Sequence, residues 1–127
     1  MFEIRPLDRP HLNRENGADA QRLVPWTLLN APFEGSWCVI PVGGATGEHG
    51  HHEYEIMIAM TGRAEVACDG ERRSFAAGDI VHFPPNTDHA ILNVGDEPFQ
   101  MYCVWWDTDM SEVFLGRHAA EAQVAVR

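Results

Sequence analysis

The strongest constraint on the fold is an alternation of apolar and polar residues with a period of two, which runs through the middle of the chain. Successive side chains of a β-strand point to opposite faces, so this alternation predicts strands with one buried face. Clusters of Gly, Pro, Asn and Asp interrupt the pattern at short intervals, which is typical of an all-β sandwich or barrel. Six strands are predicted, over residues 37–42, 55–60, 63–68, 79–83, 89–94 and 99–106.

One hairpin is predicted from its turn residues. Asp69-Gly70 separates the strand 63–68 from a further apolar-polar stretch at residues 71–75. A two-residue type I′ turn needs positive φ at both positions, which Asp and Gly tolerate.

The chain has the length of one domain, at 127 residues. Residues 1–35 contain four prolines and are predicted to be an arm of short strands and turns that covers an end or edge of the barrel. Residues 36–108 are expected to form the barrel and residues 109–127 a tail. That tail is Ala-rich from Ser111 onward, and either a short helix or a frayed end is compatible with it.

Charge and cysteine content narrow the classes of function. Nineteen acidic residues against nine basic residues give a net charge of −10, so nucleic acid and anionic membranes are poor partners. No apolar run approaches the roughly 20 residues of a membrane span, and the N-terminus lacks the apolar stretch of a signal peptide. The three cysteines, Cys38, Cys68 and Cys103, show no paired spacing and alternate with apolar neighbours. We therefore expect buried, inert, reduced thiols in a cytoplasmic protein.

Five of the seven histidines lie between positions 49 and 89, in two clusters. In the first cluster, His49 and His51 share a strand face about 7 Å apart and can point into one cavity. Glu55 has the same parity, but a straight strand would carry it roughly 13 Å beyond His51. The chain is therefore predicted to turn within residues 52–54 and to return Glu55 on the neighbouring antiparallel strand.

The second cluster follows the same plan, with a strand at residues 79–83, a turn at residues 84–88 and a new strand that opens at His89. Two such hairpins facing each other across a small barrel place three imidazoles and one carboxylate around one point. Met57 and Ala59 continue the Glu55 face, and Ile91 and Asn93 continue the His89 face. In the strand predicted at residues 99–106, either the odd-numbered or the even-numbered side chains can face inward.

The spacing within these clusters resembles the two sequence motifs of the cupin superfamily. The first motif is matched at every defined position by Gly43, His49, His51, Glu55 and Gly62. The second is matched by Gly78, Pro84, Asn86, His89 and Asn93, with Asn86 where the family usually has Gly. Asn tolerates the left-handed conformation better than most residues. The resemblance implies a single conical β-barrel, the double-stranded β-helix or jelly roll, over about residues 37–106.

The same resemblance implies one divalent metal ion per chain, bound by His49, His51, Glu55 and His89. Three imidazoles and a carboxylate suit Zn²⁺ or Fe²⁺ first, and also Mn²⁺, Ni²⁺ and Co²⁺. Such a set leaves one to three coordination positions for water or substrate, as in a catalytic site.

A narrower resemblance concerns residues 53–64, 78–85 and 104–107, which are similar to the zinc cupins of hydrazine-forming natural-product pathways. It implies a metal-dependent, non-redox rearrangement that converts an amino-acid ester of an N-hydroxylated amine into a product with an N–N bond. Glu55 would then be the fourth ligand or a general base. Because this sequence contains no methionyl-tRNA-synthetase-like module, a separate enzyme of that kind is the implied partner.

Two other functions stay open, an Fe²⁺-dependent dioxygenase and a metal-dependent binding module without turnover. At the predicted mouth of the barrel, Glu53 and Tyr54 are expected to contact a small polar substrate, with a solvated turn as the alternative. The irregular arm and the four tryptophans predict a homodimer, because a small barrel does not readily hide so much aromatic surface.

Overall fold

The computed structural model describes residues 2–27 and 29–125, with side chains through Ala119. Within these residues a short 3-10 turn at Arg9–His11 precedes nine strands and one α-helix. The strands are β1 (Asn13–Glu15), β2 (Ala18–Arg22), β3 (Phe33–Ile40), β4 (Tyr54–Thr61), β5 (Arg63–Cys68), β6 (Glu71–Ala76), β7 (Ile80–Phe83), β8 (His89–Asn93) and β9 (Phe99–Trp106); the helix is α1 (Thr108–Ala125).

The strands form two sheets that enclose one core. The larger sheet has the order β1-β2-β3-β9-β4-β7 and the smaller has the order β6-β5-β8. Every strand pair is antiparallel. Phe99 of the larger sheet packs on Phe75 of the smaller, with ring centroids 5.7 Å apart. The prediction of an all-β barrel is confirmed.

The predicted strands agree with the structure most closely where alternation is regular. Strands β5 and β9 begin and end at the predicted residues. Strand β3 begins at Phe33, earlier than the predicted residue 37, because it pairs with β9 along its whole length, from Phe33 opposite Trp106 to Ile40 opposite Phe99. The predicted hairpin is confirmed, since φ is +51° at Asp69 and +77° at Gly70.

The N-terminal region adds a second hairpin to the edge of the larger sheet. Strand β2 pairs with β3, with Ala20 opposite Cys38, and its Ala18 and Ala20 are buried in the core. The turn between β1 and β2 has a φ of +84° at Gly17. A Cβ atom at Gly17 would overlap the carbonyl oxygen of Ala45. The hairpin tip therefore packs closely against the loop that leads to the first histidine cluster.

Of the two alternatives for the tail, the structure has the helix. Asp107 caps its start, since Oδ1 accepts hydrogen bonds from the backbone N–H groups of Asp109 (2.8 Å) and Met110 (3.3 Å). Val113 and Phe114 are exposed on this helix. Among the residues described, no helix is long and apolar enough to cross a membrane.

Candidate metal centre

His49 and His89 are brought together by strand pairing. They form an isolated antiparallel bridge in which each backbone N–H donates to the other residue's carbonyl, at 3.2 Å from His49 and 3.1 Å from His89. Residues directly opposite in an antiparallel pair project their side chains from the same face. The two imidazole centroids are accordingly 5.0 Å apart.

His51 completes a triangle of imidazoles. Its ring centroid is 5.8 Å from that of His49 and 5.9 Å from that of His89. The backbone carbonyl of His51 accepts a 2.6 Å hydrogen bond from the N–H of Asn86, in a turn where Asn86 has a φ of +61°. Asn86 thus takes the left-handed conformation expected of the family's usual Gly, and its turn holds the loop that carries His51.

The three imidazoles fit one metal ion. One ring nitrogen from each of His49, His51 and His89 lies within 4.8 Å of the others. Ligand atoms about 2.1 Å from one ion are at most roughly 4.2 Å apart, so a small adjustment suffices. In His49, Nδ1 already contacts the carbonyl oxygen of Gly47 at 2.8 Å, and in His89 Nδ1 donates to that of Thr87 at 2.8 Å. With Nδ1 facing a carbonyl in both rings, Nε2 is the nitrogen available to a metal ion, and the Nδ1 contacts hold the rings in place.

The carboxylate of Glu55 lies among the same nitrogens. Its Oε1 is 3.0 Å from His51 Nε2 and 3.1 Å from His89 Nε2. Within the described part of the chain, His51 Nδ1 is buried without a hydrogen-bond partner, a state that costs about 1–3 kcal/mol. Three imidazoles, one of them incompletely satisfied, and a shared carboxylate oxygen form the donor set of a divalent transition metal.

The electrostatics of Glu55 and His89 are coupled. Burial opposes ionisation of Glu55, but the hydrogen bonds from His89 and His51 outweigh it, so the Glu55 pKa is lowered. Burial likewise opposes protonation of His89, but hydrogen bonds to Glu55 and to the Thr87 carbonyl outweigh it, so the His89 pKa is raised. The cavity wall therefore favours an anionic Glu55 beside a cation, which is either a proton on His89 or a metal ion.

Glu55 reaches this point from a different direction than the sequence suggested. The chain does bend at residues 52–53, inside the predicted turn. The prediction that Glu55 returns on the strand next to the His49 segment is wrong, because His49 pairs with β8 of the smaller sheet and Glu55 lies on β4 of the larger sheet. The bend carries the chain across the barrel mouth, so Glu55 faces the imidazoles from the opposite sheet.

The sequence of the chain matches one protein family over more than half of its length. Residues 36–105, more than half of the chain, match the model of the cupin domain. The chain belongs to the cupin family. The resemblance of the two motifs to those of cupins is thereby confirmed.

Two solved structures are similar over nearly the whole chain, and one further protein is similar in sequence over most of it. A Cupin 2 conserved barrel domain protein from Salinispora arenicola is 60% identical, with a TM-score of 0.83, over 93% of this chain and 99% of its own. The plu4264 protein from Photorhabdus luminescens is 34% identical, with a TM-score of 0.82, over 92% of this chain and 98% of its own. An uncharacterised protein of Methanocaldococcus jannaschii, MJ1618, is 27% identical over 75% of this chain and 77% of its own.

The cupin barrel contains a cavity of about 240 Å³ beside the imidazoles. His49, His51 and Glu55 lie on its wall, and Arg22 and Trp105 also line it. The guanidinium of Arg22 lies 5.2 Å from the centre of the Trp105 ring. The deeper lining is apolar and includes three side chains buried to 3% exposure or less: Met57, Met101 and Cys103. Of the two alternating sets of side chains on β9, the set that faces inward is therefore Met101, Cys103 and Trp105. The four residues predicted to continue the inward faces are buried: Met57, Ala59, Ile91 and Asn93.

The two residues predicted to contact substrate at the mouth differ in position. Glu53 is partly buried beside the site, with Oε1 3.7 Å from His51 Nδ1. Tyr54 is on the other face of β4, where its ring stacks between those of His82 (5.7 Å) and Trp106 (6.0 Å). The prediction that Tyr54 meets substrate is therefore corrected, because consecutive residues on β4 place Tyr54 outside the barrel when Glu55 is inside.

Two contacts around the imidazoles were not predicted. The Asn16 side-chain amide lies 2.9 Å from His49 Nδ1, and the Phe83 ring stacks on His89 with centroids 3.9 Å apart and planes at 6°. The Asn16-Gly17 dipeptide is a hairpin signal, but it does not reveal that the hairpin tip reaches His49. Phe83 ends a predicted strand, and only the pairing of the sheets shows that it supports a ligand.

Proposed function

We propose that this cupin is a metal-dependent enzyme that acts on a small polar molecule. In this proposal His49, His51 and His89 bind one divalent ion and Glu55 is its fourth ligand. The observation that carries the proposal is the convergence of three imidazole nitrogens within 4.8 Å of one another, with two of the rings, His49 and His51, on the wall of the barrel cavity.

The cavity supports a catalytic site over a purely structural one. Structural sites enclose the ion with four protein ligands, whereas catalytic sites keep a position for water or substrate. Here the donors stand at one side of a space of about 240 Å³, which is below the roughly 300–1,000 Å³ of drug-sized pockets. The substrate is therefore about the size of an amino-acid derivative.

The protein's own residues divide into three roles. Glu55, with its lowered pKa, is ionised at neutral pH, as a carboxylate ligand must be. When substrate arrives and the carboxylate detaches from the ion, Glu55 can accept a proton from the substrate. Arg22, which donates to both carboxylate oxygens of Glu15, lies on the cavity wall and orients a charged group. Met57 and Met101 exclude water from the deeper part. A divalent ion, when bound, polarises a carbonyl group or stabilises a departing oxygen.

The specific reaction we propose is the conversion of an amino-acid ester of an N-hydroxylated amine into an N–N bonded product. It rests on the similarity of residues 53–64, 78–85 and 104–107 to hydrazine-forming zinc cupins. The amino nitrogen bonds to the hydroxylated nitrogen, the N–O bond breaks, and the carboxylate leaves. The proton lost by the amine passes through Glu55 to the released carboxylate, so the product is an isomer of the substrate and Glu55 is regenerated. A separate methionyl-tRNA-synthetase-like enzyme would supply the ester.

An Fe²⁺-dependent dioxygenase is the second candidate. The observation that favours it is the combination of imidazoles with one carboxylate, Glu55, at a site with room for further ligands, since non-haem Fe²⁺ oxygenases use this donor chemistry.

The test uses the full chain loaded separately with Zn²⁺ and Fe²⁺. Synthetic amino-acid esters of N-hydroxylated amines are incubated without oxygen, and mass spectrometry with reference hydrazines detects an isomeric product. We expect an isomer with wild type and with His82→Ala, and none with His89→Ala. Oxygen uptake by the Fe²⁺ form in a parallel incubation in air, with no isomer in either incubation, would favour the dioxygenase. Metal binding with neither activity would leave the non-catalytic binding module.

A further inference from the structure

A second cluster of side chains lies in the same cavity and consists of sulfur atoms. Four sulfur-containing residues line it: Cys38, Met57, Met101 and Cys103. They occupy adjacent positions on the inner face of three neighbouring strands, since Cys38 is opposite Met101 across β3 and β9 and Cys103 is opposite Met57 across β9 and β4. The expectation of buried, inert thiols takes no account of this contact between two of the three cysteines.

The distance between the two thiols is that of ligands to one ion. Cys38 Sγ and Cys103 Sγ are 3.9 Å apart. Two sulfurs each about 2.3 Å from an ion, with an angle of about 109–120° between them, are roughly 3.8–4.0 Å apart. No side-chain rearrangement is needed to bring both sulfurs to one ion.

A disulfide fits this pair less well. Cys103 is directly opposite Ser36, and Cys38 lies two residues further along β3, so the two cysteines are diagonal neighbours. Diagonal positions of an antiparallel pair are about 7–8 Å apart, at or beyond the roughly 7 Å limit of an unstrained disulfide.

The donor chemistry selects the kind of ion. Thiolate and thioether ligands are soft and favour thiophilic ions such as Cu⁺, whereas imidazole and carboxylate suit the divalent ions proposed for the histidine site. We propose that Cys38 and Cys103 form a second ion site, for a Cu⁺-like thiophilic ion, with the thioethers of Met57 and Met101 as further soft donors beside it. This proposal does not depend on the histidine site or on its reaction.

The protonation of the pair is consistent with ligation. The hydrogen bond from Cys103 lowers the pKa of the Cys38 thiol, and the same contact together with burial raises the pKa of Cys103. The thiolate is the ligand form of cysteine, so binding of the ion releases the protons that the two thiols carry. The Cys38 thiol also donates to Ser36 Oγ at 3.6 Å, which holds its sulfur in place.

The experiment is a titration of the zinc-loaded full chain with Cu⁺, without oxygen, in competition with a chromophoric Cu⁺ chelator. X-ray absorption at the copper edge then identifies the bound neighbours. We expect one Cu⁺ per chain with sulfur neighbours at about 2.3 Å. Affinity should fall at least 100-fold in Cys38→Ala and in Cys103→Ala, while His89→Ala keeps the sulfur shell.

Cys68→Ala is the matched control, because Cys68 lies on β5 of the other sheet and lines a different surface. It should bind Cu⁺ as wild type does. Cys103 is buried to 3% exposure, so if Cys103→Ala does not fold, the partly exposed Cys38 decides the question alone. Cu⁺ binding that is unchanged in Cys38→Ala, or a shell of nitrogen in place of sulfur, would overturn the proposal. Equal loss in Cys68→Ala would overturn it as well.

Discussion

The inner and outer faces of strands β4 and β9 differ in almost every chemical property although they share one backbone. The inner face carries the buried Glu55 and Cys103 beside the imidazoles. The outer face carries Tyr54 and Trp106, whose rings stack at 6.0 Å. Each inner residue is one position from an outer residue, so a shift of one residue would exchange a metal donor for an aromatic ring.

His82 and His89 show the same contrast within one residue type. His89 is 1% exposed, stacks on Phe83 and contacts Glu55. His82 is exposed on the outer face and stacks on Tyr54. The comparison shows that a histidine can bind a metal in this barrel only if its side chain lies on the inner face, even when it is close to a motif in sequence.

The largest effect on metal affinity is expected when His89 is replaced by alanine, with the same replacement at His82 as the control. His89→Ala removes a ligand, so metal affinity should fall more than the 10–100-fold that loss of a supporting residue typically causes. His82→Ala, the control, should leave metal affinity unchanged. Calorimetric titration with Zn²⁺ measures both. An equal loss of Zn²⁺ affinity in the two variants would show that the inner-face His89 is no more important for metal binding than the outer-face His82.

Glu55→Ala should lower metal affinity by more than about tenfold, because it removes both the proposed fourth ligand and the carboxylate that contacts His51 and His89. Glu53→Ala should keep the metal and weaken substrate binding. Tyr54→Phe, on the outer face, should change neither. Metal content by elemental analysis and substrate titration separate these outcomes.

Two other results for these variants are informative. Full metal occupancy with lost turnover in Glu55→Ala would make Glu55 a base and remove it from the ligand set. Equal metal loss in all three variants would mean that residues 53–55 only maintain the fold of the mouth.

Metal affinity should fall as pH decreases, by about tenfold per pH unit for each proton that competes. The raised pKa of His89 places the onset of this fall above the ordinary imidazole value of about 6.5. Zn²⁺ titrations between pH 5 and 8 test it, and affinity independent of pH over this range would contradict histidine ligation.

The metal-free protein should show a different pH dependence. Because the Glu55 pKa is lowered, its contribution to stability is present above about pH 4.3 and is lost as pH falls through the folded-state value. Because the His89 pKa is raised, its contribution is present below about pH 6.5 and is lost as pH rises through the folded-state value. Denaturant unfolding with a chelator should therefore find these two contributions together between about pH 4.3 and 6.5. A steady rise in the metal-free stability from pH 5 to 8 would argue against this pairing.

A smaller effect is expected at Asn16, which supports a ligand from the N-terminal hairpin. Asn16→Ala removes the amide that donates to the Gly47 carbonyl at 3.3 Å, the same carbonyl that His49 Nδ1 contacts, and should lower Zn²⁺ affinity about tenfold. Asn13→Ala, at an exposed position on β1 of the same hairpin, is the control and should have no effect in the same titration. A Zn²⁺ affinity that Asn16→Ala leaves at the wild-type value would show that the hairpin does not support the site.

Substitutions on the outer face of the larger sheet and on α1 are expected to have the smallest effect on metal binding. Phe33 and Trp106 form an apolar groove with Val113 and Phe114, and this exposed surface supports our proposal of a homodimer. Light scattering should give twice the 14.2 kDa of one chain, and Phe114→Glu should shift the particle toward the monomer without changing metal content. A 14.2 kDa particle for wild type would refute the homodimer.

The sequence predicts the candidate site correctly where the spacing of residues along the chain determines on which strand face their side chains lie. His49 and His51 share a face because they are two residues apart, and the second motif places His89 opposite them. Alternation could not tell which sheet carries Glu55, because the bend at residues 52–53 can return a strand beside its predecessor or across the barrel. The contact between Asn16 and His49 joins residues far apart in sequence, and no local pattern encodes it.

The most direct test of the metal centre is a crystal structure of the metal-loaded protein with anomalous data at the absorption edge of the metal. We expect one ion per chain, about 2.0–2.2 Å from a ring nitrogen of each of His49, His51 and His89, with a carboxylate oxygen of Glu55 as the fourth ligand. An ion bound elsewhere, or these side chains more than about 3 Å from it, would contradict the account.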